Sequence, residues 1–209
     1  MENISNIQIG PLPVDSPYVK PVRFYYEQNG VQKNWDLLKV HDSVGIVIHN
    51  LDRNCLVVVR QFRPAVYYNC ISEKDRNGKI DTSKYPAQLG ITLELCAGIC
   101  DKNVSWAQIA KEEVLEECGY NVELENLREI VRFRSGVGTA GSVMAMYYCE
   151  VTDKNKLNAG GGIDEEIIEV VELTIPEIKQ MLYGDQFINS PGAFLFGLQW
   201  FLYNFDKKS

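Results

Sequence analysis

The stretch KEEVLEECGY, residues 111–120, decides how this chain is read. Glu112, Glu113, Glu116 and Glu117 crowd one short segment, where like charges four residues apart on a helix repel each other. Its flanks make it helical: Ser105 followed by Gln108 is a capping-box pattern, and Gly119 suits the left-handed residue that closes a helix. On a helical wheel Glu113 and Glu117 continue the arc of Trp106, Ile109 and Ala110, with Glu116 at its border and Glu112 off it. An acidic helix face is ordinarily solvated, but carboxylates on an inward stripe need counter-charge, because burying them unpaired is prohibitive. Lys111, the one basic residue of the segment, projects elsewhere. A divalent cation satisfies several carboxylates at once, and three oxygen ligands leave room around Mg²⁺ or Mn²⁺ for water and phosphate oxygens.

Composition narrows the partners. The chain has 209 residues, 45% of them hydrophobic, enough to bury one core, which predicts one main domain with a small appendage. Its net charge of −7 offers no general field for nucleic acid or an anionic membrane, so an anionic substrate needs a local cation. The six cysteines show no Cys-x-x-Cys spacing and no disulfide framework, which fits reduced thiols in a cytoplasmic protein. Two histidines, His41 and His49, give little basis for a zinc site. The N-terminus lacks the pattern of a signal peptide. The apolar run AFLFGLQWFLY (193–203) falls short of the roughly 20 residues that span a bilayer and reads as a core helix.

Along the chain, residues 20–40 read as a β-hairpin around Asn29-Gly30. Segments 43–50 and 55–62 read as strands, and a polar stretch, about 69–90, as a surface excursion. ITLELC (91–96) is one more strand before the helix, with others expected at about 122–133, 143–151 and 166–173. Pro176 opens a short helix, and Ser190-Pro191 opens the last as N-cap and first residue. Strands with a few intercalated helices indicate an α/β or α+β layered fold.

Gly98 and the EVLEECGY of residues 113–120 resemble the Nudix box, G-x5-E-x7-R-E-U-x-E-E-x-G-U, where U is bulky and apolar. Gly98, Glu113, Val114, Glu116, Glu117, Gly119 and Tyr120 match in register. Val104 stands where that family usually has Glu, and Glu112 where it has an Arg that commonly helps to orient the box glutamates. The similarity continues through QKNWDLLKVHDSV (32–44), VVVRQFRPAVY (57–67), ELCAGICD (94–101), SGVG (135–138), EVTD (150–153), GGG (160–162) and IIEVVEL (167–173). In order and spacing these look like the UDP-glucose pyrophosphatase, or UDP-sugar diphosphatase, branch of Nudix hydrolases, over about residues 17–205.

The resemblance implies an α/β/α sandwich with a mixed sheet over 41–209, and a β-rich segment over 1–40 that relatives use to form an intertwined homodimer. It implies Mg²⁺-dependent hydrolysis of a nucleoside diphosphate sugar, UDP-glucose giving UMP and glucose 1-phosphate. ADP-ribose or an ADP-sugar is the alternative substrate, and a Nudix-fold binding module without turnover the alternative role. Glu113, Glu116 and Glu117 would be metal ligands, joined by the Ala97 carbonyl. Glu166, or else Glu165, would be the general base on a loop after three glycines, although an acidic turn is more often merely solvated. Arg63 would clamp phosphate, Glu94 would be a site carboxylate or an exposed strand position, Trp35 would stack on the base, and the Gly136 turn would line the substrate.

Overall fold

The computed structural model describes residues 4–16, 19–163 and 166–206. The elements run β1 (Gln8–Ile9), β2 (Lys20–Gln28), β3 (Val31–Lys39), β4 (Ser43–Asn50), β5 (Cys55–Phe62), α1 (Pro64–Cys70), β6 (Gly78–Lys79), β7 (Ile91–Glu94) and β8 (Cys96–Ile99). Then follow α2 (Trp106–Cys118), β9 (Arg128–Arg134), β10 (Val143–Val151), β11 (Ile168–Thr174), α3 (Ile175–Tyr183) and α4 (Gly192–Phe205).

A seven-stranded sheet forms the centre, in the order β11-β5-β4-β10-β9, with β7 paired to β5 and β8 to β4. It is mixed, because β4 and β10 run parallel while β5 and β11 run antiparallel. Strand alternation splits the core into two layers. Val44, Ile46, Ile48, Val57 and Val59 pack against Ile109, Val114 and Cys118 of α2. Val47, Leu56 and Val58 face the other way, against Ile178 of α3 and Phe194, Leu198 and Phe201 of α4. This is the α/β/α sandwich expected from the sequence.

The expected strand 91–96 is two strands. The pairing passes from Val59↔Glu94 on β5 to Ile46↔Cys96 on β4, so the backbone changes partners at Leu95, which is buried in the α4 layer. The expected strand at 122–133 starts only at Arg128, because a 3-10 turn over Leu124–Asn126 precedes it. The last helix is capped at Pro191, one residue later than expected, without a side-chain cap.

The polar excursion is more ordered than its composition suggests. Helix α1 opens it, and Tyr67, Ile71, Ile80 and Tyr85 form a third small core with Ile7, Ile9 and Phe62. β1 pairs with β6, so Ile7 and Ile9 pack into this body. The β2–β3 hairpin, by contrast, has no third strand beside it among the described residues. No helix among the described residues is long and apolar enough to cross a membrane.

Candidate active site

Helix α2 places the site. The Ser105 hydroxyl accepts a hydrogen bond from the Gln108 N–H at 3.1 Å, and Gly119 closes the helix at φ 77°. Both ends lie where the sequence puts them, which sets the rotation of the carboxylates between. Glu117 is buried at 5% exposure and accepts a hydrogen bond from the Ala97 N–H at 2.9 Å. In an extended strand the N–H and C=O of one residue leave by the same side, so the Ala97 carbonyl also faces away from β4. Glu113 lies across Gly98 so closely that a Cβ there would overlap its carboxylate.

A second loop docks onto the end of α2. The N–H of Gly161 donates to the Glu117 carbonyl at 2.8 Å, and that of Gly162 to the Glu116 carbonyl at 3.1 Å. A Cβ at Gly160 would overlap the Glu117 carbonyl oxygen, so the glycines serve close approach. The loop carries Glu166, whose Oε2 accepts from the Ile163 N–H at 3.2 Å. Glu165, the other expected base, lies outside the described residues.

Arg63 forms the facing wall. Its Nε and Nη2 donate to the two oxygens of Glu94 at 2.8 and 2.7 Å. Glu94 is buried, so it is not the exposed strand position that alternation allowed. Burial works to raise its pKa, but Arg63 and the Thr92 hydroxyl together hold it below the ordinary range. Arg63 keeps its outer edge, Nη1 and one Nη2 N–H, free of Glu94.

The charges do not balance locally. Burial first, then repulsion by Glu117, Glu116 and Glu166, pushes the Glu113 carboxyl up to about 8. Burial likewise pushes Glu117 up to about 7, opposed by the Ala97 N–H, the Cys96 thiol and Arg63. Among the described residues no group of three or more His, Cys, Asp or Glu side chains stands close enough together to hold a metal ion as it is. Buried oxygens that repel one another and draw in protons suit a hard divalent cation, which would replace those protons.

No protein-family model matches the chain. It is 39% identical to the uridine diphosphate glucose pyrophosphatase of Bos taurus over 96% of this chain and 95% of that one. It belongs to the Nudix hydrolases. The corresponding Mus musculus protein is 36% identical over 96% of this chain and 95% of its own length. A GDP-mannose pyrophosphatase of Klebsiella pneumoniae is 32% identical over 66% of this chain and 60% of its own.

The two departures from the Nudix box lie to one side of the site. Glu112 accepts from Lys102 Nζ at 2.7 Å and from Gln108 Nε2 at 2.9 Å. Val104 is exposed. Trp35 and the Gly136 turn are brought to each other: the indole N–H donates to the Gly138 carbonyl at 2.8 Å, and the Leu38 N–H to the Thr139 carbonyl at 2.7 Å. Among the described residues no hydrogen bond or ion pair joins either of them to the carboxylates. Sequence reasoning missed Thr92 and Lys102. Strand alternation, which puts Thr92 on the face of Glu94, was the available signal for the first; nothing local marked the second.

Proposed function

We propose that this Nudix hydrolase cleaves the diphosphate bond of nucleoside diphosphate sugars, converting UDP-glucose and water to UMP and glucose 1-phosphate. The observation that carries the reading is the set of mutually repelling carboxylates, Glu113 and Glu117 with Glu116, facing an arginine whose outer edge has no partner among the described residues. The names of the bovine and murine relatives supply the substrate class. Glu113, Glu116, Glu117 and the Ala97 carbonyl would hold Mg²⁺, or Mn²⁺ in its place. The bound ion would offset the diphosphate charge and that building up in the transition state.

Each protein group has a separate task in this scheme. Arg63 takes phosphate oxygens on its open edge. The water oxygen bonds to one phosphorus as the bridging P–O bond breaks, Glu166 accepts the water proton, and the second phosphate leaves with the bridging oxygen. The glycine loop, pinned to the carbonyls of Glu116 and Glu117, fixes Glu166 relative to the ligands. Trp35 stacks on the base and the Gly136 turn lines its pocket in a homodimer built through the β2–β3 hairpin. Six unpaired thiols suit a reducing compartment such as the cytoplasm.

Purified protein with Mg²⁺ should release UMP and glucose 1-phosphate from UDP-glucose, and Glu117→Gln should lose most of that rate with the fold intact. GDP-mannose and ADP-ribose belong in the same assay, because the Klebsiella relative is named for the first and ADP-ribose is the alternative from the sequence. Faster turnover of either one would move the base specificity and keep the chemistry. No turnover of any of the three, with Mg²⁺ or Mn²⁺, would leave a binding module.

A further inference from the structure

Thr92 and Glu94 sit two residues apart on β7 and so point to the same face, toward α2. Both are buried, at 3% and 7% exposure. Thr92 Oγ1 lies 2.6 Å from Glu94 Oε1 and 3.4 Å from the Gln61 carbonyl. A hydroxyl has one proton to give, and the shorter contact to a carboxylate takes it. Glu94 Oε1 therefore accepts from Thr92 and from Arg63 Nε, while Oε2 accepts from Arg63 Nη2. With both oxygens engaged, Glu94 is poorly placed to touch substrate or metal itself. Among the described residues only the guanidinium at the end of this chain of hydrogen bonds has donors without a partner, on the Nη1–Nη2 edge that matches two phosphate oxygens.

We propose that Thr92 and Glu94 are positioning residues for Arg63: the hydroxyl fixes the carboxylate, the carboxylate fixes the guanidinium, and the guanidinium meets the diphosphate. This rests on the proposed binding of a nucleotide diphosphate at this wall and adds the groups that aim its cation. Arg63 is half exposed and long, so without a buried anchor it samples many rotamers, and substrate binding must then order it. Glu94 alone is an incomplete anchor, since its side chain has torsions of its own about which the carboxylate can turn. Thr92 supplies the third hydrogen bond that selects one orientation.

The test uses wild type, Thr92→Val, Thr92→Ser, Arg63→Ala and the Thr92→Val/Arg63→Ala double variant, all with Mn²⁺. Inorganic diphosphate affinity is measured by calorimetry and UDP-glucose turnover by product release. Thr92→Val keeps shape and removes the hydroxyl, so it should weaken diphosphate binding about 5- to 20-fold, part of what a lost hydrogen bond to a charged group costs because the effect is relayed through Glu94 and Arg63, and raise KM more than it lowers kcat. Thr92→Ser should restore both. In the Arg63→Ala background Thr92→Val should change nothing further, because its effect runs through that side chain. Unchanged diphosphate affinity in Thr92→Val, or an equal loss with and without Arg63, overturns the proposal. If wild type binds diphosphate with the expected dependence on Thr92 but leaves UDP-glucose intact, the substrate reading falls and the positioning role stands.

Discussion

At the scale of single residues, Gly98 and the carboxylates it borders set the behaviour of the site. A methyl at Gly98 would overlap the Cγ, Cδ and Oε1 of Glu113, the mobile end of a side chain, so the fold can yield by moving that carboxylate. Gly98→Ala should therefore lose at least about 10-fold in Mn²⁺ affinity, as for displacing a ligand group, while stability changes by under about 1 kcal/mol. A calorimetric titration beside a thermal melt reads both, and an unchanged affinity would refute it. Glu113 and Glu117 also make the protein's stability depend on pH. Their carboxyls, at about 8 and about 7, stand above the ordinary 4.5, so the folded state holds protons that the unfolded chain releases. Their contribution is complete below the unfolded value and is lost as pH rises through 7 and 8. A cation bound at these carboxyls would displace those protons, so the rise in Tm on adding Mn²⁺ to chelator-treated protein should grow from about pH 5.5 to about pH 8.5. A pH-independent rise would remove these carboxyls from the metal site.

At the scale of elements, the sequence was most legible where local chemistry sets a boundary. Ser105, Gln108 and Gly119 fixed α2, and with it the rotation that separates Glu113 and Glu117 from Glu112. Long-range partners were not legible. The exchange from β5 to β4 at Leu95 has no composition signal, and the small core takes Ile71, Ile80 and Tyr85, beside Tyr67, from a stretch that reads as polar. Glu112 was unexplained in isolation because its partner, Lys102, comes from the exposed connection before the helix. That pair is largely solvated, so Lys102→Ala should cost no more than about 0.5 kcal/mol in a denaturant titration. The loop at Gly160–Gly162 is different. At Gly160, φ is 72° and a Cβ would overlap the backbone oxygen of Glu117, which cannot swing aside as a side chain can. Gly160→Ala should lower stability by about 1–3 kcal/mol, the usual range for strain at such positions, and lift Glu166 away, lowering kcat about 10-fold or more. A variant with wild-type Tm and kcat would show that the loop does not need this close approach.

For the whole molecule, the unresolved balance lies in the β2–β3 hairpin. Val22, Phe24, Trp35 and Leu37 share one face through the cross-strand pairs Val22↔Leu37 and Phe24↔Trp35. Phe24 and Trp35 are 56% and 53% exposed, an unusual cost for large apolar groups that stand together. A two-stranded hairpin is marginal in water, and the hydrogen bonds from Trp35 and Leu38 tie only one part of this one to the Gly136–Gly141 turn. A second copy of the chain is the cover proposed for it, and neither composition nor net charge could have indicated that face, since both sum over the surface. The expected mass in solution is therefore twice the 23.7 kDa of one chain. Replacing Val22 and Phe24 together by Ser, with Trp35 left in place, should shift the protein to monomer in light scattering. If Trp35 of one subunit completes the partner's base pocket, the same double variant should raise KM for the nucleotide sugar more than it changes metal affinity, because Glu113, Glu116 and Glu117 all come from one helix. A wild-type monomer with full activity would remove the hairpin from function and leave its exposed aromatic face unexplained.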